Sequence, residues 1–330
     1  MSHLDILYIS DDNFAAYLGT SLKSLICNCN DMTLKIHIID MEISDINKEM
    51  ILATAAEKEI DVLFYDASAI VHKLKSLNIK APVENNSVAT LGRLFLANVI
   101  DKSVEKVLYI DCDIIINHSL KALADCNFNT SIAAVTDFNY GFFKDRREVR
   151  HIEEYFNAGV LLINVKKYNE RISSTNIIQL INSRMDFADQ DILNIIFDKD
   201  VTVLPPKYNS NIRCRMIKPK YITAWLKNKF GYTYKELEEA YQSPIIIHYT
   251  SSLLGRPWEK NCKDPDLKIW RHYMHSSLWS EMRLKEHRLS KSNQIGRLLY
   301  FLFPKKVFCA VDYKFAEKKF LRMKSNEKGI

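Results

Sequence analysis

Val107-Leu108-Tyr109-Ile110-Asp111-Cys112-Asp113-Ile114-Ile115-Ile116 is the stretch that decides the fold of this chain. Its first four residues are apolar, β-branched or aromatic, and they predict a buried strand. Burying an unpaired carboxylate is costly, so the two acids indicate a compensating group, most simply a divalent metal ion. Side chains two apart on a strand face the same way. Asp111 and Asp113 are therefore placed to bind one Mg²⁺ or Mn²⁺ that also carries substrate phosphates.

Two other interpretations of the acid pair remain open. The strand could end at Ile110, with Asp111 and Asp113 capping a turn, because Asp is a common turn residue. A hydrophobic run followed by Asp-x-Asp also resembles the start of a haloacid dehalogenase-type phosphohydrolase, with Asp111 as the nucleophile and Asp113 as the acid/base. That motif normally opens the chain, whereas here it lies far from the N-terminus.

Composition narrows the class of protein. The chain has 330 residues, 47% hydrophobic and 26% charged, as expected for one large globular domain or one domain plus an appendage. The segment Met1–Asp5 lacks the basic region and apolar core of a signal peptide, and no apolar run reaches the roughly 18 residues of a membrane span. Seven cysteines without C-x-x-C spacing favour a reduced cytosolic protein over a disulfide framework or a zinc site.

Strands and helices are predicted to alternate along the first third of the chain. The strands are Ile6–Ile9, Leu34–Ile39, Val62–Tyr65 and Val107–Ile110, and the helices are Phe14–Ile26, Ser44–Ala56 with Ser44 as N-cap, and Thr90–Ile100. This alternation predicts an α/β fold with a largely parallel sheet covered on both faces. Ligands bind such sheets at the carboxyl ends of the strands, where the strand order reverses. The acids that follow the first strand, from Asp11, are thus expected to share one cleft with Asp111 and Asp113.

The first strand is not followed by a glycine-rich loop, which argues against a dehydrogenase or an NTPase. Farther on, Asp189-Gln190-Asp191 opens an apolar helix, Ile192 to Phe197. Acids are typical helix N-terminal caps, which explains Asp189 and Asp191 as well as catalysis does but explains Gln190 less well. The apolar run Ile245–Ile247 precedes His248. A lone histidine at a strand end is commonly structural, but neutral imidazole also suits Mn²⁺ and similar ions.

Six segments, in this order, resemble glycosyltransferase family 8, the retaining transferases that include bacterial lipopolysaccharide galactosyl- and glucosyltransferases and glycogenin. The segments are Asp5–Phe14, Leu91–Leu94 with Arg93, Val107–Asp113, Tyr155–Asn164, Asp189–Asn194, and His248–Thr250 with Arg256–Trp258. The resemblance implies a GT-A fold, a Rossmann-like mixed sheet flanked by helices, over residues 1–282. It also implies a UDP-sugar donor and Mn²⁺ as cofactor, with Mg²⁺ as the alternative.

The resemblance assigns roles to individual residues. Asp111, Asp113 and His248 would ligate the metal, which would neutralise charge on the UDP leaving group. Gln190 matches the residue beneath the anomeric carbon, and Asp189 is the carboxylate to test for a covalent intermediate. Because Gln190 is a poor nucleophile, a front-face mechanism is favoured over the two-step retention of many glycosidases. The donor-binding positions are Asp11, Asn13, Arg93, Asp111, Cys112, Asp137, Asn157 and Arg256.

One segment departs from the family pattern. Members commonly have His-Tyr-x-Gly-x-x-Lys-Pro-Trp, whereas the stretch from His248 to Trp258 is two residues longer and has Arg256 in the lysine position. An arginine in that position is suited to clamp a phosphate bidentately.

The C-terminal region carries the excess positive charge. From Arg283 onward there are thirteen Lys or Arg against four Asp or Glu. Basic clusters alternate there with apolar patches, which suits the surface of an anionic membrane. Residues 283–330 are therefore expected to be a basic, mostly helical membrane-association extension. A nucleic-acid partner is an alternative that nothing upstream favours, and a basic helix packed on the core is another.

Together these observations predict a cytoplasmic enzyme on the inner face of the cell membrane. It would move galactose or glucose, with retention, from a UDP-sugar to a lipid-linked saccharide acceptor in lipopolysaccharide, O-antigen or capsule synthesis, with no nucleic-acid partner. Two other hypotheses come from different classes: the phosphohydrolase with Asp111 as nucleophile, and a catalytically silent UDP-sugar-binding protein.

Overall fold

The structure is a computed structural model that describes residues 2–67, 89–94, 100–101, 103–138, 149, 151–182, 188–221, 231–250, 253–286, 289–312 and 314. Within these ranges the main sheet is built from β1 (His3–Ser10), β2 (Thr33–Asp40), β3 (Asp61–Asp66), β4 (Lys106–Ile110), β6 (Ile132–Thr136), β7 (Phe156–Asn164) and β8 (Val201–Val203). A separate pair of strands is formed by β5 (Ile114–Ile116) and β9 (Ile246–His248).

The seven strands of the main sheet lie in the order β3-β2-β1-β4-β7-β6-β8. Strand β1 is parallel to β2 and β4, β2 is parallel to β3, and β6 is parallel to β8. Strand β7 is antiparallel to both of its neighbours, β4 and β6. The sheet is thus mixed, which confirms the predicted GT-A type of fold.

The strand order reverses at β1. The chain first moves outward through β2 and β3 and then returns, so that β4 pairs with the other side of β1, with Leu7 opposite Tyr109. The carboxyl ends of β1 and β4 are therefore neighbours at the edge where ligands bind in open α/β sheets. The Sγ of Cys112 contacts the carbonyl oxygen of Ile9 at 3.4 Å across this junction. The polar segments after the two strands are therefore neighbours, and their sharing of one cleft stays a prediction.

Helices cover both faces of the sheet. They are α1 (Ala15–Asn28), α2 (Asp45–Ala56), α3 (Ala89–Gly92), α4 (Lys121–Ala124), α5 (Val165–Ser173), α6 (Ile177–Asn182), α7 (Ala188–Ile196), α8 (Ile212–Met216), α9 (Tyr234–Gln242), α10 (Leu267–His275) and α11 (Lys291–Leu302). Short 3-10 helices occupy Asp12–Phe14 and Pro206–Asn209. Alternate residues of the central strands belong to different apolar clusters: Ile6 and Tyr8 pack with α1, and Leu7 and Ile9 pack on the α7 side.

Local sequence explains two of the helix starts. Ser44 is the N-cap of α2, as predicted, and its Oγ accepts the N–H of Asn47 at 3.4 Å. Thr233 and Glu236 form a reciprocal capping box at the start of α9. The predicted helix Thr90–Ile100 is confirmed only at its start, by α3, because residues 95–99 lie outside the described part of the chain.

The C-terminal region packs against the domain that precedes it. Helix α11 is followed by helical residues 305–312, where Phe308 and Cys309 are buried in the core. Lys285 is still bridged to Glu259, so backbone pairing continues past the predicted boundary at residue 283. Among the described residues, no helix is both long enough and apolar enough to cross a membrane.

Candidate active site

Three side chains from distant parts of the chain converge at the carboxyl end of β4. Strand β4 ends at Ile110 and β5 begins at Ile114, so Asp111 and Asp113 lie in the intervening turn. The first expectation, that both acids are on a strand, is wrong, and the alternative of a turn after Ile110 is what the structure shows. Strand β5 pairs with β9, which brings His248 opposite Ile114. The Nε2 of His248 lies 3.2 Å from Asp113 Oδ1 and 3.7 Å from Asp111 Oδ2. A long-range strand pair, and not strand periodicity, assembles the cluster.

The cluster has the composition of a divalent-cation site. One potential ligand atom from each of the three residues lies within 4.8 Å of the others. Carboxylate oxygens with an imidazole nitrogen suit Mn²⁺, Mg²⁺ and similar ions. Gly159 on β7 allows the close approach of the strand to the cluster, because a Cβ there would lie 2.3 Å from His248 Cε1 and 2.8 Å from Asp111 Oδ2. Any side chain at this position would collide with two of the three cluster residues.

His248 and Asp113 set each other's protonation. Burial by itself would lower the pKa of His248, but the carboxylates of Asp113 and Asp111 outweigh burial and raise that pKa. For Asp113, burial would raise the pKa, yet the imidazole and then the Arg256 guanidinium lower it. A cation bound here would take the place of the imidazolium proton as the partner of both carboxylates.

A buried arginine ties the turn to the neighbouring elements. The Arg93 side chain donates to the Ala158 carbonyl at 2.5 Å and to Asp111 Oδ1 at 3.1 Å, and its Nε lies 3.0 Å from Asp189 Oδ2. Its guanidinium carbon is 4.7 Å from the centroid of the Tyr109 ring. The Tyr109 hydroxyl donates to the same Asp111 oxygen. One carboxylate of the cluster is thus oriented by two buried donors.

Asp189, in the first turn of α7, is the counterion of Arg93. Burial raises the pKa of Asp189 to about 6, against the lowering effect of the guanidinium. Its carboxylate is engaged by Arg93 within the protein, which gives it a structural role beside any catalytic one.

Gln190 is held by hydrogen bonds at both ends of its amide. Its Nε2 donates to Asp137 Oδ2 at 3.1 Å and to the Tyr155 hydroxyl at 3.3 Å. Its Oε1 accepts the N–H of Ala158 at 3.1 Å and the Nδ2 of Asn157 at 3.2 Å. The side chain is therefore fixed in one orientation at the carboxyl edge of the sheet.

A second buried arginine supports the histidine from behind. Arg215 lies 2.7 Å from Asp264 Oδ1 and 2.5 Å from Asp266 Oδ2, and its Nη2 donates to the His248 carbonyl at 3.5 Å. Its guanidinium carbon is 4.9 Å from the centroid of the Tyr249 ring. Burial opposes the charge, but the two acids keep the pKa of Arg215 raised. The group anchors the end of β9 to the loop before α10.

Comparison with known proteins decides the family. The model of glycosyl transferase family 8 matches residues 5–262, which contain all of the side chains described above except Asp264 and Asp266. The chain belongs to glycosyl transferase family 8. It is a glycosyltransferase.

Similar family 8 sequences come from several bacteria. General stress protein A of Bacillus subtilis is 26% identical over 287 residues, covering 84% of this chain and 95% of that protein. Lipopolysaccharide 1,2-glucosyltransferase of Escherichia coli K12 is 24% identical over 292 residues, covering 84% of this chain and 79% of that protein. The crystal structure of galactosyltransferase LgtC with donor and acceptor sugar analogues has a TM-score of 0.69 at 24% identity, covering 88% of this chain and 99% of that one. The fold is thus shared with LgtC.

The phosphohydrolase hypothesis for Asp111 finds no support. The family match includes both the acid pair and His248, for which a phosphohydrolase has no use.

Besides Asp111, three of the predicted donor-binding residues lie at the end of β1 and in the turn after β4. Asp11 caps the 3-10 turn by accepting the N–H of Phe14 at 3.1 Å, and Asn13 is exposed on that turn. Cys112 is different, because its side chain is buried in the apolar core. Burial also raises the pKa of its thiol. A donor contact by Cys112 therefore stays a prediction for its backbone alone.

Arg256 lies near the cluster of Asp111, Asp113 and His248. It is partly buried, its backbone N–H donates to Glu259 Oε2 at 3.0 Å, and its guanidinium carbon is 5.5 Å from the centroid of the Trp258 ring. Its charge contributes to the lowered pKa of Asp113. Gly255 before it has φ +84°, the left-handed conformation that favours glycine. Ser251 and Ser252 of the same loop lie outside the described residues.

Several site residues were not assigned from the sequence. Gly159 and Tyr109 lie in segments quoted for the resemblance, but their roles depend on a collision distance and on a hydroxyl direction that no motif encodes. Asn209 and Arg215 belong to a stretch with only turn and helix signals. The sequence clue for Arg215 is a charged side chain between the apolar residues Cys214 and Met216, whereas Asn209, in the polar run Asn209-Ser210-Asn211, offers none.

We expect Gly159→Ala to weaken cation binding although Asp111, Asp113 and His248 are all retained. The new methyl would lie 2.3 Å from His248 Cε1, so the imidazole must move. Titration with Mn²⁺ as a paramagnetic probe should show affinity weakened roughly a hundredfold, with about 1–3 kcal/mol of stability lost to overpacking. Gly296→Ala is the control, because its Cβ would meet nothing within 4 Å. Unchanged Mn²⁺ affinity in Gly159→Ala would place the cation elsewhere.

We expect Arg215→Ala to destabilise the protein by about 3–5 kcal/mol, because it leaves Asp264 and Asp266 without their buried partner. Urea unfolding followed by circular dichroism measures this loss. Arg213→Ala is the matched control: its pair with Asp312 is partly exposed, and such pairs contribute at most about 1 kcal/mol. Equal losses in the two variants would contradict the role assigned to Arg215.

Proposed function

We propose that the protein transfers galactose or glucose, with retention of configuration, from a UDP-sugar to a lipid-linked saccharide. Mn²⁺ is the proposed cofactor, with Mg²⁺ as its substitute, held by Asp111, Asp113 and His248. Similarity to lipopolysaccharide 1,2-glucosyltransferase of Escherichia coli and lipopolysaccharide 1,3-galactosyltransferase of Salmonella typhimurium supports lipopolysaccharide, O-antigen or capsule synthesis as the setting.

One observation carries the proposal: the Asp111, Asp113 and His248 cluster adjoins a hydrogen-bonded glutamine, Gln190, at the switch point of the sheet. Gly159 lies against Asp111 and His248, and the next residues along β7 toward its start, Ala158 and Asn157, hold Gln190. A diphosphate bound at the three-residue cluster would place its sugar toward Gln190. A cation bound there would neutralise the negative charge that develops on the departing UDP.

The geometry of Gln190 favours a front-face mechanism. Both ends of its amide are already engaged, by Asp137 and Tyr155 on one side and by Ala158 and Asn157 on the other. An amide oxygen that accepts two hydrogen bonds is a poor attacking group. Asp189 is likewise engaged by Arg93. These contacts suit positioning of a donor sugar better than formation of a covalent glycosyl-enzyme.

We expect slow release of UDP from one UDP-sugar in the absence of acceptor, dependent on Mn²⁺ and abolished by EDTA. Asp113→Asn and His248→Ala should each reduce the rate roughly a hundredfold or more, since even residues that only orient metal ligands contribute up to that much. A panel of UDP-sugars names the donor. Asp125→Asn, an exposed carboxylate at the end of α4, is the control and should keep the parent rate.

The outcomes of this assay separate the competing functions. Hydrolysis that depends on Mn²⁺ and on Asp113 supports the transferase. Binding of UDP with Mn²⁺ in calorimetry, but no turnover with any donor even after addition of candidate acceptors, would indicate a silent UDP-sugar-binding protein. Absence of both binding and turnover would refute the donor site.

We further propose that the C-terminal extension lies on the cytoplasmic face of an anionic membrane and presents the enzyme to its acceptor. The solvent side of α11 and the residues after it carry six exposed apolar side chains: Ile295, Leu298, Phe301, Leu302, Phe303 and Val307. Lys291 and Lys306 are exposed beside them. Exposed apolar area with flanking cations suits the interface of an anionic bilayer.

The opposite side of α11 holds this apolar surface in a fixed orientation. Arg297 donates to the carbonyls of Leu253 and Asn261 at 2.8 and 2.9 Å, and the Tyr300 hydroxyl donates to the Met216 carbonyl at 3.1 Å. Leu253 and Asn261 lie on either side of Arg256 in the loop that follows β9. The helix thus connects the proposed membrane surface to the donor side of the enzyme.

We expect the double variant Leu298→Ser, Phe301→Ser to lose binding to vesicles of phosphatidylglycerol and phosphatidylethanolamine. Each side chain contributes roughly 1.5 kcal/mol when buried, so together they account for about a hundredfold in partitioning. Sedimentation with vesicles measures the loss, and donor hydrolysis in solution should be unchanged. Ile178→Ser, an exposed apolar residue on α6, is the control. Vesicle binding that survives in the double variant would refute this surface.

A further inference from the structure

Asn209 stands between the two halves of the site without belonging to any motif. It ends the 3-10 helix Pro206–Asn209, and its side chain is 1% exposed. The backbone after it is fixed by β9, because the N–H of Ser210 donates to the Ile246 carbonyl at 2.9 Å and the N–H of His248 donates to the Ser210 carbonyl at 3.1 Å. The Asn209 amide is therefore held at a set distance from the imidazole of His248.

The oxygen of the Asn209 amide selects the tautomer of the His248 imidazole. Asn209 Oδ1 lies 2.9 Å from His248 Nδ1, and an amide oxygen can only accept a hydrogen bond. Nδ1 must then carry the hydrogen, and in the neutral ring the lone pair is on Nε2. Nε2 is the atom that faces Asp113 and Asp111. This is the tautomer that a cation between the three residues requires.

The other end of the amide orients the sugar side of the site. Asn209 Nδ2 donates to Asn157 Oδ1 at 2.8 Å, and that oxygen also accepts the N–H of Gly159 at 3.1 Å. With its oxygen engaged, Asn157 turns its Nδ2 toward Asp137 Oδ2 and Gln190 Oε1, at 3.1 and 3.2 Å. A continuous series of hydrogen bonds thus runs from His248 to Gln190.

We propose that Asn209 is a positioning residue that couples the cation-binding histidine to the residues beneath the donor sugar. The proposal rests on the proposed function, because it assumes that the Asp111, Asp113 and His248 cluster binds a cation and that Gln190 faces the sugar. Asn209 would act through its contacts with His248 and Asn157 and not by contact with the cation or the sugar. Its single amide uses its acceptor for one half of the site and its donor for the other, so the two halves cannot be repositioned independently.

Two substitutions at this position separate the two contacts. Asn209→Asp has nearly the same shape, keeps an acceptor for His248 Nδ1, and loses the donor to Asn157. Asn209→Ala loses both contacts. Mn²⁺ affinity, measured by electron paramagnetic resonance without any nucleotide, reports on the His248 contact. The kcat of donor hydrolysis at saturating Mn²⁺ reports on the Asn157 contact.

We expect Asn209→Ala to weaken Mn²⁺ binding about tenfold to a hundredfold. Asn209→Asp should bind Mn²⁺ within about threefold of the parent, because a carboxylate is the other common partner of a ligating histidine. Its kcat should nevertheless fall about tenfold or more through misplacement of Asn157 and Gln190. The control is Asn211→Ala, a buried asparagine two residues away that caps α8 through the N–H of Arg213. It should lower the unfolding temperature alone.

Each result has a defined meaning. Parent-like Mn²⁺ affinity in Asn209→Ala would overturn the link to His248, and parent-like kcat in Asn209→Asp would overturn the link to Asn157. Equal loss of Mn²⁺ affinity in Asn209→Asp and Asn209→Ala would also overturn the proposal, since it would show a general structural effect. A parent chain that binds Mn²⁺ but hydrolyses no donor would instead count against the proposed function, and the Mn²⁺ comparison would still decide the role of Asn209 at His248.

Discussion

The burial of the Arg93 guanidinium is the interaction on which the active site depends. Without it, Asp111 and Asp189 would bring two negative charges close together under the surface, where unpaired carboxylates are strongly disfavoured. With it, α3, the turn after β4, β7 and α7 are joined at one point through Asp111, Ala158 and Asp189. The arginine therefore makes an acid-rich site compatible with a folded interior. Asp113, its pKa lowered by the imidazole of His248 despite burial, lies on the other side of the turn, toward that imidazole.

The second buried arginine solves the same problem on the other side of the cluster. Arg215 offsets Asp264 and Asp266 and reaches the His248 carbonyl, so the last strand is held by charge as well as by backbone pairing. The site thus lies between two neutralised ion groups, and Asp113 and the second oxygen of Asp111 face His248. Removing one partner of a buried ion group is strongly destabilising. We therefore expect substitutions of these buried arginines and acids to be tolerated poorly, and substitutions at the exposed surface to be tolerated well.

Sequence patterns predicted the elements well and the contacts between them partly. Short apolar runs such as Ile6–Ile9 and Val107–Ile110 predicted the strands, since burial on both faces leaves a direct mark on composition. The acid pair lies together with His248, as the resemblance implied, but the strand geometry invoked for the pair was wrong, because β4 ends before Asp111. Gly159 and Asn209 could not have been assigned. The role of each follows from distances set by strand pairing far away in the chain, which local patterns do not contain.

The pairing of β5 with β9 has a consequence for how the protein matures. Asp111 and Asp113 leave the ribosome long before His248, and closing so long a loop is slow compared with forming local structure. A chain that has emerged only through β4 still lacks His248 and the support of Arg215 by Asp264 and Asp266. The proposed cation site would consequently be completed only in a chain synthesised beyond these residues, so metal uptake there would follow most of folding and not begin it.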